Sequence, residues 1–122
     1  MEITKSLSIL VPLQETYDFV RSNSVTVRMM PIISDMKVLG QGMTAETLIE
    51  ENKPKRLVFD AKGYAKAEFL FSSSGTNTLI TIHIVSTKMG GGKMFSLPWM
   101  SNWIGMLLSF EEGYLSGMKK VA

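Results

Sequence analysis

The chain has no cysteine and a single histidine, His83. The first absence removes disulfides, thiolate metal sites and a cysteine nucleophile. Together the two argue against a zinc centre, whose ligands come mainly from those residue types. Neither sign of charge dominates: 13 Lys and Arg stand against 11 Asp and Glu, a net charge of +2. The basic residues are dispersed rather than striped among aromatics, so nucleic acid is not indicated as a partner. No apolar run reaches the ~20 residues a membrane-spanning helix needs. The nearest, from Phe95 to Phe110, is interrupted by Pro98, Ser101, Asn102, Gly105 and Ser109 and is closed by Glu111 and Glu112. A helix lying on a membrane surface is left open. The first residues read as a strand rather than a signal peptide, which makes the cytoplasm the default location.

Residues 88–94 read KMGGGKM. A phosphate-binding loop would need a glycine at Thr87 and a hydroxyl at Met94, and neither is there. A dinucleotide fingerprint starting at Gly90 would need glycine where Phe95 stands. The three glycines are then read as a flexible connection, since glycine has no Cβ to restrict φ.

At 122 residues the chain is a single domain, 1–122, with room for one core. Ten methionines are many for this length. They fit either an adaptable apolar interior or simply a Met-rich core. Residues 2–11 alternate, with Ile3, Leu7 and Ile9 on one face, which predicts a strand. Pro12 suits the start of a helix carrying Leu13, Tyr17 and Val20 on one side. Ser24 is placed to cap a second short helix, VTVRMM, stopped by Pro31. Strands are then expected over ISDMKVLG, MTAETLIEE, KRLVFDAK, YAKAEFLFS and TNTLITIHIVST. Their turns fall at Asn52-Lys53-Pro54, at Gly63 and at 72–75. A long helix is expected from Pro98 to about Lys119-Lys120. Its apolar face carries Trp99, Trp103, Met106, Leu107, Phe110, Tyr114 and Met118. Beside it runs a small residue at every fourth position: Ser101, Gly105, Ser109, Gly113, Gly117. Such spacing admits a close backbone, either the sheet of the same chain, which is the preferred reading, or a second copy in a homodimer.

The order strand, two short helices, antiparallel meander, long helix resembles the START-related helix-grip (SRPBCC) superfamily of polyketide cyclases and lipid-transfer domains. The resemblance spans the chain and is carried by ILVPLQETYDFV, RMMPII, EENKPKRLVFD, SGTNTLITIHI and the aromatic C-terminal helix. A weaker resemblance is to the carbon monoxide dehydrogenase-associated group within that superfamily. The chain departs from the pattern by lacking a strand pair before ETLIEENKPKRL. The resemblance implies an α+β fold in which a curved antiparallel sheet wraps the C-terminal helix and encloses an apolar pocket. Residues 88–98 would form a movable strap at its mouth.

The implied function is binding of a small hydrophobic ligand: a lipid, a quinone or a polyketide-like molecule. The expected lining is Phe59, Ala67, Phe69, Phe71, Ile80, Ile82, Trp99, Trp103, Leu107, Phe110 and Tyr114. Tyr17, Tyr114 or Lys5 would orient the ligand, and Arg28 has a similar claim. Lys5 has the parity of Ile3, Leu7 and Ile9 and either reaches a ligand or snorkels at the sheet's end. No catalytic residue, metal or cofactor is implied. His83 lies opposite the apolar face of its strand, and Asp60 and Glu68 fit solvated pairs with Arg56 and Lys66. Two other classes stay in view: a cyclase or dehydratase acting on such a ligand, and a membrane- or partner-docking domain using Trp99, Met100 and Trp103.

Overall fold

The computed structural model describes residues 2–28, 33–34, 37–38, 43–61, 65–86 and 92–121. In chain order these form β1 (Glu2–Ile9), α1 (Leu13–Ser22), β2 (Thr26–Arg28), β3 (Ile33–Ser34), β4 (Lys37–Val38) and β5 (Met43–Ala45). There follow β6 (Thr47–Asn52), β7 (Arg56–Asp60), β8 (Ala65–Ser74), β9 (Asn77–Ser86) and α2 (Gly92–Val121). The main sheet has the order β1-β9-β8-β7-β6, and every neighbouring pair is antiparallel. Two small ladders, β2 with β5 and β3 with β4, stand apart from it. The architecture is α+β, an open antiparallel sheet with a long C-terminal helix against it.

The period-two pattern decides which face of the sheet is core. Leu57, Phe59 and Ala61, then Ala65, Ala67, Phe69 and Phe71, then Ile80, Ile82 and Ile84 all point inward and are buried. In register, Phe59 faces Ala67, Phe69 faces Ile82 and Phe71 faces Ile80. Phe59 thus packs over a small partner, while Phe69 and Phe71 pair with β-branched isoleucines, as aromatic side chains commonly do across strands. From the helix side, Trp103 packs edge-on against Phe69, with ring centroids 4.8 Å apart.

The outer face is charged. Arg56 reaches Glu50 at 2.9 Å and Glu68 at 2.7 Å. Those two glutamates flank Val58 in register, so the guanidinium that bridges them lies over Val58 and buries it on an otherwise solvated face. His83 meets Glu2 on the same face, as its parity predicts. Between β6 and β7 the register slips by one residue after Leu48. The extra residue, Ile49, is exposed, as bulged residues commonly are. Lys5 faces Ile82 in register on edge strand β1 and is exposed. An exposed charge at such a position discourages another chain from pairing with the edge.

Several expectations are corrected. The second short helix is not found among the described residues: Thr26–Arg28 is a strand paired with β5. The β-branched run of Val25, Thr26 and Val27 prevails over the Ser24 cap signal. ISDMKVLG is not one strand, since its described parts form the β3–β4 ladder. MTAETLIEE divides at Glu46, β5 pairing with β2 and β6 with β7. The turn predicted at 72–75 is shorter, because β8 runs through Ser74 and pairs with Asn77, leaving Gly75-Thr76 as the loop. Gly75 has φ 65°, the positive value a two-residue hairpin turn requires. Gly63 and the strap residues 88–91 lie outside the described residues. The rest of the strap, from Gly92 to Pro98, is helix, and Pro98 sits inside α2 instead of starting it.

The small-residue stripe also departs from its preferred reading. Ser101, Gly105, Ser109, Gly113 and Gly117 are all exposed, so α2 presents them away from its own sheet. A Cβ built on Gly105, Gly113 or Gly117 meets nothing within 4 Å. Each glycine then costs helix stability with no packing return. Replacing any one with alanine should stabilise the fold by about 0.5–1 kcal/mol. Urea unfolding reads this directly, and a destabilised Gly113→Ala would show that the stripe is in contact.

Candidate functional site

The break between β5 and β6 places the one residue that an apolar interior least accommodates. At Glu46 the backbone N–H donates to the Val25 carbonyl at 3.3 Å, and the side chain turns inward, only 4% exposed. It ends beneath α2. There the indole Nε1 of Trp99 donates to Glu46 Oε2 at 2.5 Å, and that of Trp103 donates to the same oxygen at 2.8 Å. Two tryptophans four residues apart stand on one helix face, so both donors can converge on one acceptor.

The second carboxyl oxygen, Oε1, is buried and makes no hydrogen bond of good geometry among the described residues, the nearby Val25 N–H included; Ser96 Oγ is likewise without a partner among them. Ser96, Trp99 and Trp103 are spaced three and four apart and all are fully buried, so they share the face that covers Glu46. Burial pushes the Glu46 carboxyl up from 4.5 to about 7, against the two indole donors and the Val25 backbone, which favour the charged form. Near neutrality the group therefore exchanges a proton inside the core, an uncommon state that clusters at functional sites.

The expected lining residues are brought together in part. Phe59, Ala67, Phe69, Phe71, Ile80 and Ile82 form the sheet wall, and Trp99, Trp103 and Leu107 form the helix wall, all buried. Phe110 and Tyr114 are only partly buried, further along α2. Phe110 stacks on Phe19 of α1, with centroids 4.1 Å apart and rings 7° from parallel. Met118 is exposed, so the apolar face predicted for the helix leaves the core before its end. Met100 is buried along with both tryptophans, so the three residues expected to dock on a membrane offer no surface to one. No helix among the described residues is long and apolar enough to cross a membrane.

The polar groups expected to orient a ligand are otherwise placed. The Tyr17 hydroxyl donates to Glu51 Oε2 at 2.7 Å. Arg21 holds the same carboxylate through Nε at 2.8 Å and Nη2 at 3.3 Å. Burial, with the Glu51 carboxylate next, pushes the Tyr17 hydroxyl up to about 12. Arg21 first, then Tyr17, brings Glu51 down to about 2. This cluster ties α1 to β6 and leaves the hydroxyl engaged. Glu46 and Ser96 were missed in the sequence. The available signal was parity: Glu46 falls two before Leu48, on the apolar side of the strand, while Trp99 and Trp103 repeat at the spacing that lets two indoles share one acceptor.

No family model and no curated protein sequence matches the chain. Solved structures do. An Aha1 dimer from Colwellia psychrerythraea superposes with a TM-score of 0.58 at 12% identity, covering 92% of this chain and 94% of the other. An AHSA1-like protein from Aeromonas hydrophila gives 0.56 at 14% identity, covering 96% and 94%. An HSP90 activator from Plasmodium falciparum gives 0.55 at 15% identity, covering 95% and 96%. The likeness is one of fold, and it runs nearly the full length of both chains. The chain has the helix-grip fold.

The buried carboxyl makes stability depend on pH in a defined window. In the unfolded chain Glu46 loses its proton near 4.5, and in the folded chain near 7. Between those values the native state holds the extra proton, so the contribution of Glu46 to stability is greatest below 4.5, falls as pH rises to about 7, and is level above. The fall should total roughly 3 kcal/mol. Glu51 acts in a separate window and with the opposite sign, its contribution being lost as pH drops from 4.5 toward 2. In denaturant titrations across pH 4.5–7, wild type should lose stability relative to Glu46→Gln, which cannot ionise. Parallel pH profiles for the two proteins would contradict the placement of Glu46.

Proposed function

We propose that the chain binds a small apolar ligand between the sheet and α2, with Glu46 as the polar group at the end of an otherwise hydrocarbon interior. The observation that carries this is Glu46 Oε1. A buried polar atom without a partner costs about 1–3 kcal/mol, and native folds rarely keep one without use. A ligand that supplies the missing hydrogen bond offsets that cost, while its apolar body gains ~25 cal/mol per Å² removed from water. Ligand pockets commonly combine aromatic walls with one or two placed polar groups, and that is the composition assembled here around Trp99, Trp103, Phe59 and Phe69. The resemblance to lipid-transfer domains and polyketide cyclases points the same way.

The partly buried end of α2 gives the ligand its way in. Phe19 and Phe110 are held by stacking with each other, and their separation exposes the interior without unpairing a strand. A cyclase or dehydratase acting in this space would have Glu46 as its proton-exchanging group. The binding reading requires only that the space open.

Titration with an anilinonaphthalene probe, excited through Trp99 and Trp103, is the test. One saturable site per chain with energy transfer from the indoles is expected, and Ala67→Phe, which fills the interior, should weaken it at least tenfold. Absence of saturable binding, together with a native mass equal to that of the bare chain, would contradict the proposal.

A further inference from the structure

The two orphaned atoms define what the ligand must carry. Oε2 of Glu46 already accepts two indole N–H groups. A carboxylic oxygen receiving two donors has no place for a proton of its own, so the neutral acid carries its proton on Oε1. Oε1–H is then a donor in need of an acceptor, inside the core. Ser96 Oγ, on the same helix face one turn before Trp99, is a second hydroxyl without a partner. A single oxygen with two lone pairs and no hydrogen is the group that would satisfy both hydroxyls together.

From this arrangement we infer that the ligand is a neutral carbonyl compound whose C=O oxygen takes one hydrogen bond from Glu46 Oε1–H and one from Ser96 Oγ–H. The inference rests on the proposed binding space and adds the chemical class: a ketone, quinone, ester or amide on a hydrocarbon body. A carboxylate ligand would set two acids against each other in a dry site, and an ammonium ligand, a donor only, has no lone pair for either hydroxyl. Among the described residues, the groups facing the carboxyl are the indoles of Trp99 and Trp103 from α2 and the Val25 backbone from the segment before β2, none of them charged. Ionisation of Glu46 removes the donor and turns its charge against the carbonyl oxygen, so a carbonyl ligand is held in the neutral form of the site.

A matched pair of fluorophores tests this. One is a dimethylamino-naphthalene bearing a propionyl group, whose emission shifts when its carbonyl is hydrogen-bonded. The other carries propyl instead, with CH₂ in place of C=O. At about pH 6, where the site is mostly neutral, the ketone should bind roughly tenfold more tightly than the propyl compound. Its emission should be that of a hydrogen-bonded carbonyl. Ser96→Ala should weaken the ketone about fivefold and leave the propyl compound unchanged. Glu46→Gln, whose amide keeps an acceptor for the indoles and a donor for the ligand, should bind the ketone equally at pH 6 and pH 9, whereas wild type should lose it at pH 9. Equal binding of the two probes, unaffected by Ser96→Ala, would overturn the carbonyl assignment and leave the apolar site standing. Failure of both probes to bind would overturn both proposals and assign the two orphaned atoms to trapped water.

Discussion

Two indole N–H groups share one carboxylate oxygen, and that junction sets how the helix meets the sheet. The Glu46 side chain comes from a strand break and the indoles come from α2, so the bonds join segments more than fifty residues apart. They also specify the contact. An apolar helix face can slide or rotate on an apolar sheet at small cost, whereas two convergent donors and one acceptor fit in one register. Phe59 and Phe69 pack against Trp103 within the buried core, which excludes water and so strengthens each bond made at the junction. The same exclusion makes the unused oxygen expensive. Structure and candidate function thus have a common origin: an acid is held in the core by two bonds and left with one donor to satisfy.

The ion pairs among the described residues lie toward the outside. Arg56 with Glu50 and Glu68, and Arg21 with Glu51, fix strands and α1 at the periphery. Pairs this exposed contribute little each to stability. Their role is geometric: Arg56 roofs Val58 on the solvated face, and the Glu51 cluster anchors the helix that supplies Phe19 to the stacked pair with Phe110. The Leu10 backbone N–H, donating to Glu111 at 2.7 Å, fixes the later part of α2 to the end of β1. The helix is held at Glu46 and at Glu111, and its last turns carry exposed Met118.

Much of this was legible because alternation survives in strands with one dry face. Ile80, Ile82 and Ile84, or Ala65, Ala67, Phe69 and Phe71, can be assigned inward with no structure at all, and the inward set is the sheet wall observed. What the pattern could not carry is where a strand stops. MTAETLIEE reads as one strand because nothing in it breaks the period, yet the chain turns at Glu46 to satisfy a partner fifty residues on. A local cap at Ser24 lost to β-branched neighbours for a similar reason, since β2 is stabilised by a pairing that propensity does not see. The glycines of α2 imply close packing by spacing, but only the three-dimensional position of the helix shows that side turned to solvent. The candidate lining followed from the fold, while the burial of Glu46 and Ser96 depends on long-range contacts.

The two tryptophans are the only ones in the chain, which makes the central junction directly observable. Indole Nε1–H resonances measured by ¹H–¹⁵N NMR as pH is raised report each donor separately. If both indoles bind Glu46 in a dry core, both signals are shifted downfield, exchange slowly with water, and move together with a midpoint near 7. Indole protons that exchange rapidly, or that titrate near 4.5 or not at all, would mean that Glu46 is solvated and that the helix is not fastened to the sheet through it.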